Sequence, residues 1–202
     1  MVAVEAGRSP GQLTAAMRSI EAAFLVGVEG TTEVWLVRHA DSYDDLADEN
    51  TDPPLSPRGR EQAQRLSERL ARLGYDAVYS SPARRALETA RSITSEIQVD
   101  ERLVEIATEL DDGHIEVSES PESAVERMRQ AVADGVAAHT GGRVVLVGHG
   151  VAIMAYLCDV LRLEFGTLRL LPYYTSVSVV RLLGERRMVG SLADVAHLEG
   201  RL

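Results

Sequence analysis

Two fully apolar runs stand out in the hydrophobic pattern of the chain. Val34–Val37 and Val144–Val147 are short and rich in β-branched residues, with no alternation of apolar and polar positions. Such runs are typical of strands that are buried on both faces of a parallel sheet. The first run is followed by Arg38-His39 and the second by Gly148-His149. We therefore expect both histidines at the carboxyl edge of the sheet, where open α/β sheets bind ligands.

Apolar residues at three- and four-residue spacing predict helices between the strands. Ser56-Pro57 offers a capping serine and a proline for the first helical position, and Gly74 ends this helix. Tyr75–Tyr79 then returns as a short strand, which makes a right-handed β-α-β unit with parallel strands. Ser81-Pro82 is expected to open the next helix in the same way. Two more helices are predicted, from Pro121 to about Gly141 and from Val151 to about Leu163.

The C-terminal part of the chain predicts further strands around Leu168–Leu171, Ser176–Leu182 and Met188–Leu192. Apolar and polar residues alternate at the start of the second of these, which is typical of a strand near a sheet edge. The acidic stretch Glu109–Ser120 is expected to be irregular. The elements as a whole indicate an α/β fold.

Residues 1–30 are predicted to form an N-terminal helical extension to a single domain over residues 31–202. Leu13, Met17, Ile20 and Phe24 share one face of a helix that begins near Ser9-Pro10. We expect this face to pack on its own domain. Pairing with a second copy, as a homodimer, is the alternative.

The composition narrows the class of protein. The chain has 202 residues, of which 45% are hydrophobic and 26% charged, as in ordinary globular domains. A net charge of -10 argues against nucleic acid or an anionic membrane as a partner, because such binding relies on many Lys and Arg contacts. With Cys158 as the only cysteine, no disulfide can form within one chain. Because no stretch reaches the ~20 apolar residues of a membrane span, we expect a cytoplasmic protein.

The polar residues at the predicted strand ends suggest phosphoryl chemistry. Arg38, His39, His149 and either Arg84 or Arg85 would meet at one edge of the sheet. Two guanidiniums can clamp a tetrahedral dianion, and a neutral imidazole is a competent nucleophile at neutral pH. The predicted substrate is therefore a phosphoryl group.

These segments resemble the motifs of the histidine phosphatase superfamily, which includes cofactor-dependent phosphoglycerate mutases and many acid phosphatases. Leu36–Asp41 is similar to the Arg-His-Gly signature, with alanine in place of glycine. Leu55–Gly59 resembles the Leu-Thr-x-x-Gly helix start, and Ser80–Ala90 matches Ser-Ser-x-x-x-Arg-Ala-x-x-Thr-Ala. Arg102–Glu105 corresponds to the segment with the proton donor, and Gly148–Gly150 to the second catalytic histidine.

The resemblance runs from about Thr32 to Leu183 and implies a fold and a site. The fold is a three-layer α/β/α sandwich, with a mostly parallel central sheet and one antiparallel edge strand. In the implied site, His39 attacks phosphorus, and Arg38, Arg85 and His149 hold the phosphoryl oxygens. Glu105 protonates the leaving group and then activates water. Neither a metal ion nor another cofactor is expected, and Arg84 is left on the surface.

Departures from the mutase pattern favour hydrolysis. In the mutases the signature is followed by Glu-Ser-x-Trp-Asn, where this chain has Asp41–Asp45. Ile106–Leu110 does not resemble the mutases' Tyr-Gly-x-x-x-Gly segment. His149 follows Glu105 by only 44 positions (149 minus 105), which leaves little room for a lid that excludes water.

The leading prediction is therefore a metal-independent phosphatase that hydrolyses a phosphomonoester through phosphohistidine. Its substrate would be a phosphorylated small molecule or a phosphoprotein. The alternative within the superfamily is a bisphosphoglycerate-dependent phosphoglycerate mutase or a related phosphotransfer enzyme. A catalytically silent phosphate-binding module is the third alternative, from a different functional class.

Overall fold

The two apolar runs pair with each other at the centre of a six-stranded sheet. The structure is a computed structural model that describes residues 10–43, 52–106, 108–111, 114–117 and 119–199. Its strands are β1 (Thr32–Arg38), β2 (Ala77–Ser80), β3 (Gln98–Val99), β4 (Thr108–Asp111), β5 (His114–Val117), β6 (Arg143–Gly148), β7 (Val177–Leu183) and β8 (Arg186–Asp194). Its helices are α1 (Pro10–Ala23), α2 (Pro57–Leu73), α3 (Arg84–Ile93), α4 (Pro121–Ala138) and α5 (Gly150–Leu161).

The strand order of the large sheet is β3-β2-β6-β1-β7-β8. The first four strands are parallel, and β7 runs antiparallel to both β1 and β8. The mostly parallel sheet is confirmed, but its antiparallel strand lies one place in from the edge because β8 folds back on it as a hairpin. As a consequence, the start of β7 lies at the same edge as the ends of β1 and β6.

Successive side chains of β1 supply the cores on both faces of the sheet. Val34 and Leu36 pack with residues of α4 and α5, whereas Trp35 and Val37 pack with residues of α2 and α3. All four are buried, and each buried apolar side chain of this size contributes about 1.5–3 kcal/mol. The helices thus form a layer on each side, which confirms the three-layer fold.

The helix starts differ in how they are capped. Ser56 caps α2 by accepting a hydrogen bond from the Gly59 N–H, with Pro57 at the first helical position, as predicted. Ser81-Pro82, in contrast, does not open α3, which begins only at Arg84. The Asp52 carboxylate accepts from the Arg84 N–H at 2.7 Å and so replaces the serine cap that the sequence predicts.

Two predictions for irregular and extended segments are wrong. The acidic stretch contains a hairpin of β4 and β5, because the alternation of apolar and polar residues around Ile115 and Val117 suits strands despite the many carboxylates. Conversely, Leu168–Leu171 is not a strand. The segment is followed by Pro172, which has no N–H for a ladder and whose carbonyl accepts a hydrogen bond from the Arg38 side chain.

The N-terminal helix forms, but its apolar face does not pack on the domain. Met17, Ile20 and Phe24 are more than half exposed, so the expected packing is wrong. The end of α1 is attached instead by Leu25, which is buried, and by Arg186, which donates to the Ala23 carbonyl at 2.8 Å. No helix in the described part of the chain is long and apolar enough to cross a membrane.

The start of α2 presses against the backbone that follows the first histidine. A Cβ atom added at Gly59 would lie 1.9 Å from the Asp41 carbonyl oxygen. We expect Gly59→Ala to lower the free energy of unfolding by about 1–3 kcal/mol, although alanine is the better helix former. Denaturant unfolding measures this difference. Gln64→Ala, on the exposed face of the same helix, should change the free energy of unfolding by less than about 0.5 kcal/mol. A Gly59→Ala protein as stable as the wild type would contradict the proposed clash.

Candidate active site

The register of the central strands places the two histidines side by side. Arg38 at the end of β1 is opposite Gly148 at the end of β6. The His39 N–H donates to the Gly148 carbonyl at 2.9 Å, and the two imidazole rings lie 5.1 Å apart between centroids. Both histidines are buried.

Arg85, in the first turn of α3, bridges the two imidazoles. Its Nε donates to His39 Nε2 at 3.3 Å, and its Nη2 lies 3.2 Å from His149 Nδ1. A guanidinium has no acceptor, so each of these ring nitrogens must present a lone pair. Arg84 is exposed instead and pairs with Glu88.

The opposite nitrogen of each ring has a partner that holds the proton there. His39 Nδ1 is 2.7 Å from the Ala40 carbonyl, which can only accept a hydrogen bond. His149 Nε2 is 2.9 Å from the Ser81 hydroxyl. His39 therefore carries its proton on Nδ1 and has its lone pair on Nε2, whereas His149 carries its proton on Nε2.

Burial keeps both rings neutral. Loss of solvent lowers the pKa of His39 to about 3, and the nearby Arg85 and Arg38 guanidiniums act in the same direction. Loss of solvent lowers the pKa of His149 to about 2, with further contributions from His39, Arg85, Arg127 and Arg38. A dianion bound among these groups would offset the positive charge that lowers both pKa values.

Arg38 is held by the segment that leads into β7. Its Nη1 donates to the Pro172 carbonyl at 2.8 Å, and its guanidinium carbon lies 4.1 Å from the centre of the Tyr174 ring. The same ring lies 5.7 Å from the ring of His39. The buried Nε of Arg38 has no hydrogen-bond partner among the described residues, so one donor of this cation remains for an anion.

Thr89 ties α3 to the end of β1. Its hydroxyl donates to the Arg85 carbonyl at 2.7 Å and accepts from the Ala40 N–H at 2.9 Å. The hydroxyl thus links the backbone of Arg85 to the residue that follows His39. Arg85 and His39 are held relative to one another through this buried contact.

Glu105 lies at the start of α5 and is engaged by backbone donors. One carboxylate oxygen accepts from the N–H groups of Ala152 and Ile106, both at 2.9 Å, and the other accepts from the Val151 N–H at 3.2 Å. All three donors are backbone N–H groups, so the carboxyl group is fixed in place without a cationic side chain. The structure places Glu105 next to the helix that follows His149.

Two acidic residues near the site are also engaged by the protein. The Asp41 carboxylate accepts from the Ser56 hydroxyl at 2.5 Å, which directs it to the start of α2. The Asp52 carboxylate, besides capping α3, lies 3.6 Å from Arg85 Nη1. Asp44 and Asp45, on which the comparison with the mutase signature also depends, lie outside the described residues.

Sequence reasoning missed Ser81, Thr89 and Tyr174. The first two belong to the matched Ser-Ser-x-x-x-Arg-Ala-x-x-Thr-Ala motif, which could have identified them. Tyr174 has no such signal, because its position follows from the antiparallel direction of β7. Among the described residues, no group of three or more His, Cys, Asp and Glu side chains is placed to hold a metal ion.

Comparison with known proteins identifies the family. A model of the histidine phosphatase superfamily (branch 1) matches residues 34–116 and 107–195. The chain therefore belongs to this superfamily, which confirms the resemblance seen in its motifs.

The relatives include both mutases and phosphatases. A probable phosphoglycerate mutase GpmB of Enterobacter sp. (strain 638) is 26% identical over 204 residues, covering 83% of this chain and 95% of that protein. Phosphoserine phosphatase 1 of Hydrogenobacter thermophilus is 40% identical over 82 residues, covering 35% of this chain and 37% of that protein. A crystal structure of phosphoserine phosphatase from Entamoeba histolytica, in complex with 3-phosphoglyceric acid, superposes with a TM-score of 0.72. It is 23% identical and covers 83% of this chain and 99% of that chain.

The contacts of the two rings predict an NMR result. In long-range proton–nitrogen spectra of the free protein, His39 should be neutral with its proton on Nδ1, and His149 neutral with its proton on Nε2. Both should stay neutral as the pH falls from about 8 to about 5, because their pKa values lie well below the ordinary value of about 6.5. Titration of either ring near the ordinary value would contradict this assignment.

The same shifts give the direction in which stability depends on pH. The unfolded chain takes up protons on both histidines near pH ~6.5, whereas the folded protein excludes these protons until the pH is much lower. The contribution of these two groups to the free energy of unfolding should therefore decrease as the pH falls below about 6.5. His39→Ala should show a weaker decrease over this pH range in urea unfolding than the wild type does.

Proposed function

We propose that this protein is a phosphatase that hydrolyses a phosphomonoester through a phosphohistidine on His39, without a metal ion. The observation that carries the proposal is the state of the His39 ring. Its Nδ1 proton is held by the Ala40 carbonyl, so Nε2 presents its lone pair at the guanidinium that would bind the phosphoryl oxygens. The nucleophile and the anion-binding group thus converge on one place.

In the first step, a bond forms between His39 Nε2 and phosphorus while the bond from phosphorus to the ester oxygen breaks. The ring becomes cationic as it attacks, and the Ala40 carbonyl stabilises this charge through the Nδ1 hydrogen bond. Arg38, Arg85 and His149 are the groups proposed to hold the phosphoryl oxygens. The positive charge of the two arginines would stabilise the transition state in the way that Mg²⁺ does in other phosphotransfer enzymes.

In the second step, water attacks phosphorus and the bond to His39 Nε2 breaks. Glu105 is the proposed acid for the leaving alkoxide and the proposed base for this water. Its carboxylate lies at the start of α5, the helix that begins directly after His149. A carboxyl group in this position could serve both steps, since it would give up a proton in the first and regain one in the second.

A phosphoglycerate mutase is the second candidate function, favoured by the similarity to the probable mutases over most of the chain. The two functions share the first step and differ in what accepts the phosphoryl group. Hydrolysis is supported by the departure from the mutase sequence pattern at Asp45, where an acceptor that repels phosphate replaces the amide donor of the mutase asparagine. The substrate class that we propose is a phosphorylated small molecule, as in the phosphoserine and 3-phosphoglyceric acid complexes of the Entamoeba histolytica protein.

The proposal is tested by trapping the intermediate. Acid-labile, alkali-stable label from ³²P-labelled phosphoserine or 3-phosphoglycerate should appear on the wild type and be absent from His39→Ala. Inorganic phosphate should be released at the same rate with EDTA as without it. His139→Ala, a histidine at the end of α4, is the matched control and should behave as the wild type.

The product separates the two candidate functions. We expect inorganic phosphate to be released faster than 3- and 2-phosphoglycerate are interconverted, in the presence of added bisphosphoglycerate. Faster interconversion would establish the mutase instead. A wild type that takes up no label and releases no phosphate from either substrate or from p-nitrophenyl phosphate would favour the silent module.

Glu105→Gln tests the proposed acid and base separately from its contacts at α5. Glutamine keeps an oxygen that can accept from the backbone but cannot transfer a proton. If Glu105 is the acid, kcat with an alkyl phosphate should fall by about 10²–10⁴-fold in the variant. The rate of labelling by p-nitrophenyl phosphate should fall much less, because its leaving group needs no proton. Rapid-quench measurement of the labelling rate separates this step from hydrolysis. An equal loss with both substrates would mean that Glu105 only holds the helix.

A further inference from the structure

Thr175 adopts a backbone conformation that is rare for its residue type. It is fully buried, lies two residues before β7, and has a φ angle of +57°. A β-branched residue seldom occupies this left-handed region, and one that does is held there by its surroundings. The strained residue lies beside the proposed active site rather than in an exposed turn.

The backbone of Thr175 is bonded to both residues at the end of β1. Its N–H donates to the carbonyl oxygens of Arg38 and His39, at 3.0 and 3.3 Å. The Ser176 carbonyl accepts from the Arg38 N–H at 3.3 Å, and the Pro172 carbonyl binds the Arg38 side chain. With Thr175 in this conformation, the segment from Pro172 to Ser176 bonds to both the backbone and the side chain of Arg38.

The side chain of Thr175 continues this contact away from the active site. Its hydroxyl lies 2.7 Å from the Tyr174 carbonyl, to which it donates, and 3.0 Å from His197 Nε2. The hydroxyl proton is already used, so His197 Nε2 must be the donor in the second contact. His197 Nδ1 then carries a lone pair, which agrees with its distance of 3.4 Å from Arg69 Nη1.

Arg69 completes the chain of contacts from the opposite side. It extends from α2, and its Nη2 donates at 2.6 Å to the carboxylate of Asp194, the last residue of β8. The series of contacts from Asp194 through Arg69 and His197 to Thr175 is continuous. The chain of contacts ends on the carbonyls of Arg38 and His39.

We propose that His197 and Thr175 are positioning residues that set the orientation of Arg38 and His39 for phosphoryl transfer. The inference rests on the proposed role of His39 as the nucleophile. Neither residue touches the place where the phosphoryl group would bind. We expect the two residues to affect the geometry with which His39 attacks phosphorus. A small displacement of the nucleophile changes the rate of phosphoryl transfer strongly.

The test compares binding of the ground state with binding of a transition-state mimic. In His197→Leu and in Thr175→Val, kcat for p-nitrophenyl phosphate and affinity for orthovanadate should both fall by about ten- to a hundredfold. Affinity for inorganic phosphate should change by less than about threefold. Binding of this tetrahedral anion depends less on the orientation of His39 than binding of vanadate does, because it mimics the ground state. A general loss of structure would weaken both inhibitors alike.

Conservative variants test the hydrogen bonds themselves. His197→Gln retains an N–H donor and Thr175→Ser retains the hydroxyl, so both should recover most of the lost kcat. His139→Leu is the matched control, since His139 is also half-buried and lies near a hydroxyl, that of Tyr79, at the other end of the sheet. This variant should keep the wild-type ratio of vanadate to phosphate affinity.

The outcomes distinguish this inference from the proposed function. If wild-type protein forms no phosphoenzyme on His39, both fail. If it does, and His197→Leu and Thr175→Val keep the wild-type ratio of inhibitor affinities, only the positioning role is wrong. It is also wrong if His197→Gln is as impaired as His197→Leu while both remain folded by circular dichroism.

Discussion

The site depends on one pairing, the parallel register of β1 with β6. Arg38 at the end of β1 lies opposite Gly148 at the end of β6, and a histidine follows each of them. The two histidines therefore lie side by side, and the His39 N–H donates to the Gly148 carbonyl. A slip of one residue would turn one of the two rings to the other face of the sheet. The buried side chains on both faces of β1 make such a slip costly, so the packing of the core also maintains the distance between the imidazoles.

Arg85 is the residue by which this arrangement becomes an anion site in the proposed function. Arg85 is bonded to two neutral rings, and Asp52 lies 3.6 Å from its Nη1. Because Arg38 adds a second cation, the proposed site has an excess of positive charge that a phosphoryl dianion would compensate. The same contacts dictate the tautomers, so the group proposed to bind the anion also orients the Nε2 lone pair of the proposed nucleophile, His39.

The sheet topology brings a third segment to this edge. Since β7 runs antiparallel to β1, its start lies beside the ends of the parallel strands, and Tyr174 and Thr175 reach Arg38 from there. Glu105 illustrates a related effect. Its carboxylate is bonded to the first turn of α5, which ties the segment after the short β3 strand to the helix that follows His149.

The sequence by itself determined the two central strands, the ends at which His39 and His149 lie, and the motif that selects Arg85 over Arg84. These features are local, because an apolar run and a helix start are readable along the chain, and parallel strands share an edge. Only the tertiary structure decided the partners of each polar atom. The cap of α3 by Asp52, the hairpin in the acidic stretch and the exposed face of α1 were not predicted, since each depends on which distant segment comes close. The tautomers of the histidines and the place of Thr175 belong to the same group, because a hydrogen bond is specified by the two positions in space and not by their spacing in the chain.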